Sequence, residues 1–83
     1  MILSPNVSID RVEAAITLDR NLEEASLVVT DVAGKQIAQI HQGELAQGQH
    51  NFTVNKIDVN GSGLYFLSLI AEGKVLTRKV IFQ

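Results

Sequence analysis

Cysteine and tryptophan are missing from this chain of 83 residues, proline occurs once, at Pro5, and the aromatics are one tyrosine and three phenylalanines. Without cysteine there is no disulfide and no thiolate metal site to stiffen the fold, though the redox compartment stays open. With one proline and no low-complexity segment, no stretch reads as a linker. No apolar run approaches the ~18 residues of a membrane-spanning helix. The opening Met1-Ile2-Leu3 is too short for the core of a signal peptide, so an exported form takes its leader from further upstream. Charge of one sign is scarce as well. Nine acidic against seven basic side chains give a net charge of −2, and they are scattered. That leaves no electrostatic footprint for nucleic acid or an anionic membrane.

What the chain does have is hydrophobic side chains, 46% of the total, enough for a packed core and too many for disorder. The length corresponds to one domain. A domain of this size buries roughly 60–65% of its unfolded surface, so modest stability is expected.

The apolar residues fall in short segments of strand character separated by turn signals. Val7 and Ile9 alternate with Ser8 and Asp10 as a weak first strand. Ile16 and Leu18 alternate with Thr17 and Asp19 as a second. Asn21 to Glu24 reads as a polar break. Leu27-Val28-Val29-Thr30 is apolar on both faces, the pattern of a central strand. In Asp31-Val32-Ala33-Gly34, Asp leads and Gly stands fourth, which predicts a type I turn with the carboxylate accepting turn N–H groups.

Lys35 to Gln42 forms the fourth strand. Ile37 and Ile40 are three apart, so a bulge is expected there, with a helical turn as the rival reading. Gly43 to Gly48 reads as the longest loop. Phe52 and Val54 alternate with Asn51, Thr53 and Asn55 in a fifth strand, and Ile57 and Val59 sit in a connection. Gly63 to Ala71 and Lys74 to Gln83 complete a hairpin through Glu72-Gly73, where Gly accepts positive φ cheaply. Leu76, Val80 and Phe82 share one side of the last strand, Thr77 and Lys79 the other.

Seven short strands predict an all-β fold, a seven-stranded antiparallel immunoglobulin-like β-sandwich. No window holds helical spacing. Residues 11 to 27 come nearest, and Thr17 and Leu18 break the stripe. The closing hairpin, running into a core strand, is the stretch expected to act as an address or docking element.

No residue set announces chemistry. His41 and His50 flank the predicted loop, but a zinc site needs three or four ligands with supporting partners, and strand-end surface histidines explain them. Glu23, Glu24, Asp10, Asp19 and Asp31 lack the convergence of six or more oxygens that calcium requires. Gly61-Ser62-Gly63 is no strained nucleophile elbow. Asn6-Val7-Ser8, Asn51-Phe52-Thr53 and Asn60-Gly61-Ser62 match the N-glycosylation triplet, but Asn51 lies in a predicted strand and these polar types are common in β-turns, so coincidence is the reading. Tyr65 and Phe66 point to opposite faces, and Tyr65 is placed to hydrogen-bond neighbouring backbone as a tyrosine corner does. No enzyme activity, no cofactor and no metal site are expected.

The order of signals is informative together. Ser4-Pro5-Asn6 opens, Asp31-x-x-Gly34-Lys35 marks the turn after the third strand, and Gly48 precedes the fifth. Gly63-x-Tyr65-Phe66 and a hydrophobic strand follow, then Arg78-Lys79-Val80-Ile81. This resembles the type A C-terminal sorting domain of the Bacteroidetes type IX secretion system, over essentially the whole chain. The resemblance implies a secretion signal that directs an upstream cargo through the outer-membrane translocon to the cell surface or medium, after transit of the periplasm. It implies the translocon as partner and, in many members, a sortase-like peptidase that removes the domain and joins the cargo to a lipopolysaccharide. Residues 1–83 are then one sorting domain of a longer secreted protein.

Carried over by position, the recognition residues implied are Asp31, Gly34, Lys35, Gly63, Tyr65 and Lys79. The family pattern Pro-Asn-Pro is met here by Pro5-Asn6-Val7, which loses one fixed φ. Recognition without catalysis is expected, through an exposed strand edge, a turn or the last hairpin. The same edges offer a route to dimers. The alternative is an immunoglobulin-like accessory or assembly module, similar to the flagellar hook-cap domain or to C-terminal modules of secreted hydrolases. Those relatives often carry Trp-Asp-Gly before the Gly-x-Tyr strand, where this chain has Asn55-Lys56-Ile57-Asp58-Val59-Asn60-Gly61.

Overall fold

A computed structural model describes residues 1–7, 10–59 and 61–82. Seven strands follow one another: β1 (Ile2–Val7), β2 (Arg11–Leu18), β3 (Leu22–Thr30), β4 (Gln36–Leu45), β5 (Gly48–Asn55), β6 (Gly63–Ala71) and β7 (Lys74–Phe82). One 3-10 turn, Lys56–Asp58, lies between β5 and β6. All pairings are antiparallel. They build a three-stranded sheet, β1-β2-β5, and a four-stranded sheet, β4-β3-β6-β7.

Period-two alternation decides which side chains enter the core. In β2, Val12, Ala14, Ile16 and Leu18 are buried while Arg11, Glu13 and Thr17 stay exposed. From the four-stranded sheet, Leu27, Val29, Leu67, Leu69, Val80 and Phe82 face them, each at most 2% exposed. The core is therefore the slab between the sheets. β3 occupies the interior of its sheet, as its run of apolar residues predicts, and Val28 on the far side is still only 6% exposed.

Several expectations need correction. The first strand is Ile2–Val7, not Val7 to Asp10; of that stretch, Ser8 and Ile9 lie outside the described residues. Pro5 stands within it, tolerated because β1 is an edge strand and needs no ladder N–H there. The expected break at Asn21 to Glu24 is shorter, since β3 starts at Leu22, whose side chain is buried. The expected loop Gly43 to Gly48 is mostly strand. β4 continues to Leu45, and Ala25 pairs with Gly43, which sits at φ +131° beside a shift in register. Glycine tolerates that φ, so the strand runs through it.

The β4 bulge is present, and twice. Leu27 pairs with His41 while Val28 pairs with Gln39, and Val29 pairs with Ala38 while Thr30 pairs with Gln36. Ile40 and Ile37 are the skipped residues, and both pack against the core. Each extra residue turns an isoleucine inward that strict alternation would have left outside.

Candidate functional site

The turn after β3 is built by one carboxylate. Asp31 Oδ1 accepts the N–H groups of Ala33 and Lys35, both at 2.9 Å. The Asp31 carbonyl accepts Gly34 N–H at 3.0 Å, and Asp31 N–H donates to the Lys35 carbonyl at 2.9 Å. Gly34 sits at φ +86°, where a side chain would be strained. The turn thus presents the exposed Lys35 and Val32, the latter 70% exposed.

The start of β6 is built around Tyr65, which is 5% exposed. Its hydroxyl donates to the carbonyl of Gly61 at 3.1 Å, four residues upstream. Its ring meets Phe82 edge-on, centroids 5.7 Å apart and planes at 82°, the arrangement that aromatic quadrupoles favour. Gly63 between them adopts φ +140°. A Cβ there would stand 3.9 Å from Tyr65, so its conformation, rather than space, calls for glycine.

Lys79 lies opposite Phe66 on β7, and Phe66 lies opposite Thr30 on β3. That one row of the sheet collects what the sequence scatters. The Asp31 turn leaves β3 just past Thr30, Gly63 and Tyr65 immediately precede Phe66, and Lys79 closes the row. All six residues carried over from the resemblance gather at one end of the four-stranded sheet. Four of them serve the backbone there: Asp31, Gly34, Gly63 and Tyr65. Lys35 and Lys79 project from it, exposed.

The outward face of the same sheet leaves apolar side chains uncovered. Leu64 pairs with Ile81 and Ile70 with Val75. Their exposures are 36%, 50%, 41% and 60%. The signal was present in β6, which is apolar on both faces although only one can face the core.

Elsewhere the polar groups have local duties. His41 Nε2–H donates to the Glu44 carbonyl at 3.2 Å and its ring tilts against Phe52, centroids 5.3 Å apart. His50 Nε2–H donates to the Ala46 carbonyl at 2.7 Å. Among the described residues no group of three or more His, Asp or Glu side chains could hold a metal ion. Asn51 is exposed on β5, whereas Ser8 and Asn60 of the other two triplets lie outside the described residues. No helix among the described residues is long and apolar enough to cross a membrane.

A family model described as a secretion system C-terminal sorting domain matches residues 5–83. Comparison with curated proteins and with solved structures gave no match.

Proposed function

Since the chain belongs to the secretion system C-terminal sorting domain family, the sorting signal of type IX secretion, we propose that the translocon reads it at the end of the four-stranded sheet where the Asp31 turn, the Tyr65 corner and Lys79 meet. The signal directs export across the outer membrane to the surface or medium, and its partner is the type IX machinery. The observation that carries the location is the row Thr30, Phe66 and Lys79. It draws into one place residues that lie far apart along the chain.

In this reading the six residues divide the work. Asp31, Gly34, Gly63 and Tyr65 fix the backbone of the end, and Lys35 and Lys79 are the side chains a partner meets. No reaction step is required, because recognition needs only a preformed surface. Residues 1–83 act as one sorting domain behind a cargo that reaches the translocon through the periplasm, and a sortase-like peptidase is the partner that would release it. The strand order and the tyrosine corner support an immunoglobulin-like sandwich.

The test is a fusion of residues 1–83 behind a signal peptide and a fluorescent protein, in a type IX-competent bacterium and in its translocon-null mutant. Export in the competent strain alone is expected, and removal of residues 79–83 should abolish it. Equal retention in both strains by a folded fusion would overturn the sorting role. Export that survives the truncation would overturn the proposed location.

A further inference from the structure

The two outward faces of the sandwich differ in kind. On the three-stranded sheet, the pairs Ser4–Ala15, Asn6–Glu13, Glu13–Thr53 and Ala15–Asn51 give a mainly polar face, with the exposed Ile2 opposite Thr17 at its end. On the four-stranded sheet, β6 and β7 present Leu64, Phe66, Ile70, Val75, Lys79 and Ile81. Antiparallel sheets with one solvated side normally place polar residues there. Exposed apolar side chains gathered on one face of a small domain, here at both ends of a row that Lys79, Ser68 and Thr77 interrupt, mark an interaction surface.

One detail suits this face to being covered, and a second sets a condition on what covers it. Its central hydroxyls are already paired: Ser68 Oγ and Thr77 Oγ1 lie 3.1 Å apart, and Ser68 is 9% exposed. Each oxygen therefore keeps a hydrogen-bond partner when water is removed, and one O–H, that of the accepting hydroxyl, is left for the occupant to satisfy. Lys79 is different. It stands between the two apolar pairs and, among the described residues, makes no salt bridge. Covered by purely apolar surface, its ammonium would lose its hydration with no partner in exchange. Charge complementarity therefore favours an occupant that brings a carboxylate.

We propose that the outward face of β6 and β7 is the surface docked onto the translocon, and that its occupant is an apolar protein surface bearing one carboxylate that pairs with Lys79. This rests on the sorting role and adds which face is read and by what chemistry. A second copy of the domain fits poorly. The two apolar rows contain no Asp or Glu. A self-contact would set Lys79 against apolar side chains or against another Lys79. An anionic lipid surface fits poorly too, because the face offers one cation and the chain is net negative, whereas stable electrostatic attachment takes a cluster of basic residues.

The experiment uses the fluorescent fusion described above. Ile70→Thr/Val75→Thr and Lys79→Glu are compared with Lys79→Arg and with the opposite-face control Thr17→Glu, and each purified variant is checked for unchanged urea unfolding. A photo-crosslinking residue placed at Val75 or at Thr17 reports what each face touches in cells. Expected is a loss of export of at least about tenfold for Ile70→Thr/Val75→Thr and for Lys79→Glu, the effect of removing a central contact. Near-normal export is expected for the control Thr17→Glu, Lys79→Arg should lose less than Lys79→Glu because it keeps the charge, and crosslinks to a translocon subunit should come from position 75 only.

Export of the wild-type fusion combined with undiminished export of both outer-face variants would overturn this inference and leave the sorting role standing. A wild-type fusion that is not exported at all would overturn the sorting role first. Crosslinks from position 75 to a second copy, or binding of the purified domain to phosphatidylglycerol vesicles that Lys79→Glu abolishes, would replace the proposed occupant and overturn the inference.

Discussion

Tyr65 and Phe82 meet edge to face, with ring centroids 5.7 Å apart and an interplanar angle of 82°. The tyrosine belongs to the start of β6 and the phenylalanine to the end of β7. Their contact ties the last strand to the corner held by the Tyr65–Gly61 hydrogen bond. Phe82 is 1% exposed, so Phe82→Ala should cost about 3–5 kcal/mol, as large-to-small core truncations do. Tyr65→Phe keeps the ring contact and loses only the hydrogen bond, about 1 kcal/mol. Urea unfolding of the two variants should separate by more than twofold in lost stability. Equal losses would mean that the hydroxyl, not the ring, anchors this end.

The Asp31 turn gives a second prediction. Asp31→Ala removes the acceptor of two backbone N–H groups. Both sites are exposed, so water compensates in part, and the loss should be about 1 kcal/mol. Asp31→Asn retains an acceptor oxygen and should lose only a few tenths (~0.3 kcal/mol). Chemical denaturation and the amide shifts of Ala33 and Lys35 would read both.

Glu72 is the described non-glycine residue with positive φ, at +53°, beside Gly73 at +74°. Two positive φ values in a two-residue loop define a type I′ turn, for which Asn-Gly is the favoured pair. Glu72→Asn relieves backbone strain of roughly 1 kcal/mol and gives up the Arg20 salt bridge. That bridge joins side chains 61% and 44% exposed, and such surface pairs contribute only about 0.2–1 kcal/mol. The backbone term wins, and a net gain of about 0.5 kcal/mol is expected. A melting curve that moves down instead would show the ion pair to be the larger effect.

Arg78 joins the two sheets. Its Nε donates to the Leu3 carbonyl at 3.1 Å and its Nη1 to the Thr77 carbonyl at 3.0 Å. Arg78→Met keeps most of the apolar stem and loses both donors. About 1–2 kcal/mol of stability should be lost, and hydrogen exchange should accelerate in β1 before the rest of the fold. Uniform acceleration across all strands would mean that the contact is not local to β1.

Much of this was legible in the chain. Alternation marked β7, the end of β2 at Ile16 to Leu18 and the second half of β5 from Asn51, the double-sided apolar run placed β3 inside its sheet, and Ile37 and Ile40 foretold a bulged β4; the start of β2 at Arg11 was not read. Less legible were elements whose position depends on a neighbour. β1 gives no clear alternation and exists because β2 offers it an edge. Gly43 looks like a loop residue but is carried through as strand because β3 continues opposite it. Of the six candidate residues, type and order were readable, but not that they share one end. Nor was the division between residues that shape it and residues that project from it.

The sequence by itself determined the all-β class, the Asp31 turn and the Glu72-Gly73 hairpin. Each rests on interactions within a few residues, where side-chain period and turn chemistry act directly. The tertiary structure alone decided which apolar residues remain uncovered, that Arg78 reaches Leu3 from 75 positions away, and that Thr30, Phe66 and Lys79 form one row. Those outcomes depend on strand register and on how two sheets stack. A register shift of one residue would turn every side chain of a strand to the opposite face.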